Sequence, residues 1–147
     1  MVRTPGSEGR VGAKPSTGAA PMPESGRGRY ARDMHASRIR IALAQIAPRL
    51  GMLDENLERH LTLIKEARQA EADRVACAEL GLTGYQLQDL ASEVSMRLDD
   101  PRLAELAAAT EDLSAVVSFV EESADHRLFI AAALLEDGEI RHVHRKL

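Results

Sequence analysis

Apolar side chains recur at two different periods along residues 38–147, and the two periods alternate. A period of two is typical of strands, and it predicts strands at residues 38–45, 74–79, 114–120, 128–135 and 139–147. Helical spacing separates the first three strands. An order of strand, helix, strand, helix, strand and hairpin is typical of an α/β domain with a mixed sheet.

The first strand and the first helix carry the clearest patterns. Ile39, Ile41 and Leu43 alternate with small side chains, which predicts a strand buried on both faces toward its carboxyl end. Asp54 is the predicted N-cap of a helix that runs to about residue 70, and His60 is expected near the polar side of that helix. The apolar stripe of the helix is predicted to comprise Leu57, Leu61, Ile64 and Ala67.

The second helix and the hairpin have strong local signals. Asp100 is a predicted N-cap and Pro101 the first helical residue, while residues 86–98 show only weak helical spacing. Asp137 and Gly138 predict a hairpin turn. The apolar stripe of the helix is predicted to be Leu103, Leu106, Ala107 and Thr110. On the last strand one face is expected to carry Ile140, His142, His144 and Lys146, and the other Arg141, Val143, Arg145 and Leu147.

Residues 1–37 differ in composition from the rest of the chain. They contain six of the ten glycines and four of the six prolines, and no Leu, Ile or Phe. Such a segment cannot bury enough apolar surface to offset its ordering entropy, so a disordered tail is predicted. A transit peptide is a weak alternative, and we favour a true start at Met34.

Composition excludes several classes of protein. A single cysteine rules out a disulfide framework and a Cys-x-x-Cys zinc site. No apolar run approaches the ~18–20 residues of a membrane span, and without a secretory apolar region a cytoplasmic protein is expected. Net charge of −4 and 3% aromatic residues argue against nucleic-acid binding.

Two ionisable residues lie at predicted strand ends, where ligands of open α/β sheets collect. Glu79 ends the second strand and Lys146 the fifth. A carboxylate that moves protons and an ammonium that stabilises an oxyanion suit acyl transfer, although a strand-end Glu is more often solvated or paired. Tyr85 is a candidate for lining the pocket mouth, the alternative being a partly buried ring.

Other polar residues have simpler interpretations. His142 and His144 could present two imidazoles to a metal, but an ordinary polar strand face is favoured, and no metal or cofactor is predicted. Glu121 and Glu122 are expected on a solvated face. Cys77 is expected to be a small apolar residue of the strand.

Four segments resemble one family. Residues 78–85, Ala-Glu-Leu-Gly-Leu-Thr-Gly-Tyr, are similar to the Pro-Glu-Leu-x-Leu-Thr-Gly-Tyr signature of the nitrilase, or carbon–nitrogen hydrolase, superfamily. Residues 145–147, Arg-Lys-Leu, resemble the lysine motif of this family. Residues 41–46 resemble its opening strand, and residues 54–57 resemble the start of its first helix. Ala78 replaces the usual proline.

The resemblance implies a Glu–Lys–Cys triad in a four-layer α-β-β-α sandwich. Glu79 would be the general base and Lys146 the cation that stabilises the tetrahedral intermediate. The family's cysteine follows the lysine by a few tens of residues, and Cys77 does not match that position. Residues 38–147 are therefore expected to be the N-terminal part of such a domain, truncated after the lysine motif and inactive alone.

The resemblance also implies the substrate class, with alternatives. The main expectation is hydrolysis of a non-peptide amide, carbamoyl or nitrile bond in a small molecule, by an enzyme that is a homo-oligomer when complete. Residues 84–90, Gly-Tyr-Gln-Leu-Gln-Asp-Leu, are loosely similar to the glutaminase domain of glutamine-dependent NAD synthetases. A third possibility is a non-catalytic remnant or a subunit that depends on a partner.

Overall fold

The computed structural model describes residues 38–146. The predicted disordered tail and the predicted start at Met34 both concern residues outside this range. The elements are β1 (Ile41–Ala44), α1 (Leu53–Gln69), β2 (Arg74–Cys77), a 3-10 helix (Gln88–Ser92), α2 (Pro101–Ala108), β3 (Ser114–Glu122), β4 (Leu128–Glu136) and β5 (Glu139–Arg145). Their order is the predicted one, and within residues 38–146 no helix is long and apolar enough to cross a bilayer.

The five strands form one mixed sheet in the order β1-β2-β3-β4-β5. The first three strands are parallel, and β4 and β5 return antiparallel. Each parallel connection contains a helix, as parallel neighbours require. The α/β class with a mixed sheet is therefore confirmed.

Both α-helices pack on the same face of the sheet. The buried side of α1 includes Leu57 and Ile64, and that of α2 includes Leu103 and Leu106. These side chains join Phe119 and other residues of the central strands in one apolar core. The predicted stripes of both helices are confirmed, with Leu61 only partly buried.

The opposite face of the sheet is open and apolar along β1 and the first half of β3. Leu43 is 79% exposed, and Ile41 and Val116, on the same face, are also exposed. The prediction that the first strand is buried on both sides is therefore wrong, because the helices cover only the other face. One helical layer and one sheet correspond to half of the α-β-β-α arrangement that the resemblance implies.

The two helices begin differently. Asp100 accepts a hydrogen bond from the backbone N–H of Arg102 at 2.8 Å, so the predicted N-cap of α2 is confirmed. The N-cap of α1 is Met52 rather than Asp54. Asp54 instead lies in the first turn and accepts a hydrogen bond from Arg102 Nε at 2.7 Å, because α2 packs beside α1.

The predicted hairpin is confirmed, but the strand that follows it is irregular. Asp137 and Gly138 both have positive φ, as a two-residue hairpin turn requires. The strand register then shifts by one residue, and Arg141 is left over. Ile140 consequently faces the helices together with Val143, so its predicted shared face with His142 and His144 is wrong.

Candidate active site

The segment that carries Glu79 is a tight turn. β2 ends at Cys77, two residues earlier than predicted, so Glu79 is not part of the strand. In the turn of residues 78–84, here called the Glu79 turn, Leu80 has a φ of 52° and Gly81 N–H donates to Ala78 O at 3.1 Å. The Glu79 side chain therefore projects from a turn that lies beyond the carboxyl end of β2 and beside β3.

Ser118 of β3 holds this turn from the sheet side. Its Oγ accepts a hydrogen bond from Leu80 N–H at 3.0 Å and donates one to Ala131 O at 2.9 Å. Its carbonyl accepts from Leu82 N–H at 3.2 Å. Sequence reasoning did not single out Ser118, whose signal was a hydroxyl within an apolar, β-branched strand.

Asn56 of α1 holds the turn from the helix side. Its buried Nδ2 donates to Leu82 O at 2.9 Å and to Arg49 O at 2.7 Å, and its Oδ1 accepts from Arg49 N–H at 2.8 Å. The amide thus connects the loop before α1 to the Glu79 turn. Asn56 belongs to the helix-start motif of residues 54–57, and the sequence did not predict this structural role.

His60, one turn later on α1, is also buried beneath this turn. Its side chain is fully inaccessible, and Nδ1 lies 2.7 Å from Asn56 O. The prediction that His60 lies near the polar side of the helix is wrong. The reason is that the Glu79 turn covers this part of α1.

Lys146 meets Glu79 although 67 residues separate them. Its backbone N–H donates to Ile130 O at 2.8 Å, which continues the pairing of β5 with β4 for one residue. Its Nζ donates to Glu79 Oε1 at 2.8 Å. The hydrogen bond and the negative charge of Glu79 raise the pKa of the Lys146 ammonium, so Lys146 is fully charged at neutral pH.

The end of β5 is anchored by the residue before Lys146. Arg145 donates from Nε and Nη2 to the two carboxylate oxygens of Glu121 at 2.7 and 2.6 Å, and its guanidinium stacks 4.5 Å from the centre of the Phe129 ring. Glu121 is 1% exposed, so its predicted place on a solvated face is wrong. It shares a sheet face with Phe129, and Arg145 compensates its buried charge.

Tyr85 follows the Glu79 turn and is 67% exposed, so the alternative of a partly buried ring is wrong. Tyr85 is the weakest of the groups that raise the pKa of the Lys146 ammonium. A role of Tyr85 in lining the substrate pocket stays a prediction.

Cys77 does not join this group. Its side chain packs against the core under the helices, and burial raises the pKa of the thiol to about 11. The thiol is therefore protonated at neutral pH and a poor nucleophile. This agrees with the prediction of a small apolar strand residue.

The two strand histidines form no metal site with other described residues. His142 and His144 are both exposed on β5. Within residues 38–146, no three His, Cys, Asp or Glu side chains lie close enough together to hold a metal ion. An ordinary polar strand face remains the interpretation of this pair.

A carboxylate and an ammonium in contact at the carboxyl end of a sheet have a definite chemical capacity. The carboxylate can accept and return a proton, and the ammonium can donate a hydrogen bond to an oxygen that becomes negative. Both side chains are partly open to solvent, at 40% for Glu79 and 59% for Lys146, so a small molecule can reach them.

Comparisons with known proteins identify the family of this chain. A family model described as carbon-nitrogen hydrolase matches residues 40–147. A glutamine-dependent NAD(+) synthetase from Thermotoga maritima is 33% identical over 111 residues, which cover 75% of this chain and 19% of that protein. The chain spans about a fifth of the length of the first curated relatives.

Solved structures show the same likeness. The glutamine-dependent NAD+ synthetase of Acinetobacter baumannii is 28% identical with a TM-score of 0.63, covering 74% of this chain and 20% of that one. An amidase from Nesterenkonia sp. is 25% identical with a TM-score of 0.61, covering 74% and 42%. From its matched segment and its fold, the chain belongs to the carbon–nitrogen hydrolase family.

Proposed function

We propose that this chain supplies the general base and the oxyanion-stabilising cation of a glutaminase, an enzyme that releases ammonia from the side-chain amide of glutamine. The observation that carries the proposal is the 2.8 Å contact between Glu79 and Lys146. The similarity to glutamine-dependent NAD synthetases supports glutamine as the substrate.

The chemistry assigns each group one task. Glu79 takes the proton of a nucleophilic thiol, and the thiolate attacks the amide carbon. Lys146 donates a hydrogen bond to the oxygen that becomes negative in the tetrahedral intermediate. Glu79 then returns the proton to the leaving nitrogen, which departs as ammonia, and activates the water that hydrolyses the thioester.

The thiol in this scheme is not Cys77. That side chain belongs to the helix-side core, its pKa is about 11, and it is the one cysteine of the 147 residues. We therefore propose that the nucleophile comes from polypeptide outside these residues. The purified chain alone is expected to hydrolyse no glutamine.

A chimera tests the proposal. Residues 40–147 would replace the matching segment of the Thermotoga maritima synthetase, and glutamine hydrolysis would be measured by ammonia release. The chimera should hydrolyse glutamine, and Glu79→Gln should reduce the rate by at least about 100-fold, the usual range for loss of a general base. NAD synthesis from added ammonia serves as the folding control.

The matched control is Glu71→Gln. Glu71 is also an exposed glutamate paired with a cation, Arg40, but it lies at the other end of β2. A chimera that makes NAD from ammonia but hydrolyses glutamine equally well with and without Glu79 would contradict the proposal.

An amidase with a broader substrate range is the second candidate, and the Nesterenkonia amidase structure is the observation that favours it. A second chimera, with the same segment placed in that amidase, discriminates the glutaminase from the amidase. The amidase would be favoured if this chimera hydrolyses simple aliphatic amides at the rate of the unchanged amidase and neither chimera hydrolyses glutamine.

A further inference from the structure

We infer that His60 is a positioning residue for Glu79: its buried ring fills the space directly beneath Gly81 and determines the distance between the Glu79 turn and α1. The inference rests on the proposed function, in which Glu79 and Lys146 act on the substrate. It adds a residue on a different element, which touches neither the substrate nor the reacting atoms.

The hydrogen bonding of His60 defines its tautomer. Nδ1 lies 2.7 Å from Asn56 O, and a carbonyl oxygen can only accept, so Nδ1 carries the hydrogen. In the neutral ring Nε2 is then an unprotonated acceptor. Nε2 is buried and has no hydrogen-bond partner among the described residues. A buried polar atom without a hydrogen-bond partner costs stability.

Nε2 lies instead in close contact with the backbone of Gly81. A Cβ added to Gly81 would lie 2.7 Å from Nε2 and 3.0 Å from Cε1 of His60, and 3.1 Å from Ala78 O. Gly81 does not have positive φ, so its backbone conformation is open to other residues. The glycine is therefore required by close approach, above all of the imidazole ring and also of Ala78 O, and not by a dihedral angle.

This contact is coupled to the catalytic carboxylate through a short path. Gly81 lies two residues after Glu79 and closes the turn with its hydrogen bond to Ala78 O. Asn56 links the same two pieces of chain, since its carbonyl faces the His60 ring and its Nδ2 binds Leu82 O. A shift of the ring or of the glycine must therefore displace the backbone that carries Glu79.

Burial favours the neutral form of the ring. Desolvation lowers the pKa of His60, which outweighs the opposite effect of the hydrogen bond to Asn56 O. A neutral ring can lie with its Nε2 lone pair against the turn, whereas a protonated one would leave an N–H⁺ without an acceptor.

The test measures whether the Glu79–Lys146 contact depends on the His60–Gly81 contact, using the full chain and no turnover. NMR titration of the Lys146 side chain reports the contact, because Glu79 raises the pKa of this ammonium. Glu79→Gln defines complete loss of that upward shift. Gly81→Ala should lose most of it, and His60→Ala part of it.

The double variant His60→Ala/Gly81→Ala should regain at least half of the shift lost in Gly81→Ala, since removal of the ring makes room for the methyl group. Gly138→Ala is the control, because a Cβ there meets no atom within 4 Å. It should lower stability through its positive φ and leave the pKa of Lys146 unchanged.

A merely structural role of His60 predicts changes in unfolding free energy but none in the pKa of Lys146, and that result would overturn the inference. If Gly81→Ala does not fold, His60→Ala and the double variant decide: a Lys146 pKa equal to that of the parent chain in both variants would also overturn the inference. Failure of the proposed function would give a different result. The chimera would then hydrolyse glutamine equally well with and without Glu79, while the pKa of Lys146 would still depend on the contact between His60 and Gly81.

Discussion

At the scale of single residues, the ion pair between Glu79 and Lys146 is placed for chemistry more than for stability. Exposed pairs of this kind contribute little to folding because water screens them. The pair of buried Glu121 with Arg145 is different, since Glu121 would be an uncompensated buried charge without its partner. Arg145 thus fixes the end of β5, and this positions the next residue, Lys146, for its contact with Glu79.

His60 gives a prediction about pH. Burial lowers the pKa of the folded-state imidazole below its ordinary value of 6.5, so between the two pKa values the unfolded chain binds a proton that the folded chain does not. Stability therefore falls as pH decreases below 6.5. Urea unfolding measured between about pH 7.5 and about pH 5.5 should show this loss of unfolding free energy. In His60→Leu the unfolding free energy should change less steeply with pH.

The matched control for this prediction is His144→Gln, since His144 is an exposed histidine of the same domain. It should leave the slope unchanged. Equal slopes for the parent chain and His60→Leu would show that His60 does not titrate differently on folding.

At the scale of elements, α2 depends on its first turn. The helix has eight residues, too few to be stable by propensity alone, and it relies on the Asp100 cap, on Pro101 and on its buried leucines. Its packing in turn supports α1 and the core above the central strands.

Replacement of this cap has a predictable cost. Asp100→Ala removes the acceptor of the Arg102 N–H hydrogen bond and should lower the unfolding free energy by about 1 kcal/mol. Chemical denaturation measures the change. Asp99→Ala is the control, because Asp99 is more exposed and its carboxylate caps no helix; an equal loss in both variants would contradict the capping role.

At the scale of the whole molecule, the sheet has two unlike faces. One is sealed by both helices, and the other presents Ile41, Leu43 and Val116 to solvent. Exposed apolar side chains that adjoin one another on a sheet, next to the edge strand β1, favour association between molecules.

The isolated chain is therefore expected to self-associate. Sedimentation velocity should show a larger average mass as concentration rises, and Ile41→Lys/Leu43→Glu should shift the chain toward the monomer. Leu98→Lys is the control, because Leu98 is an exposed leucine outside the strands. A chain that stays monomeric at all concentrations would show that this face does not drive association.

Most of the fold followed from local patterns. Hydrophobic periodicity, the Asp100 cap and the turn at residues 137–138 are properties of a few neighbouring residues, and each predicted its element. The positions of Glu79 and Lys146 at the carboxyl edge followed from the same patterns, because topology brings the ends of different strands to one rim.

The sequence by itself determined the order and type of the elements and the family to which they belong. Only the tertiary structure decided which polar side chains are buried: Asn56, His60, Ser118 and Glu121 all read as ordinary polar residues until distant backbone and charge partners surround them. The extra residue at Arg141 escaped prediction in the same way, since a bulge depends on the partner strand. Periodicity records which side a residue faces, whereas burial of a polar group depends on what the rest of the chain brings to meet it.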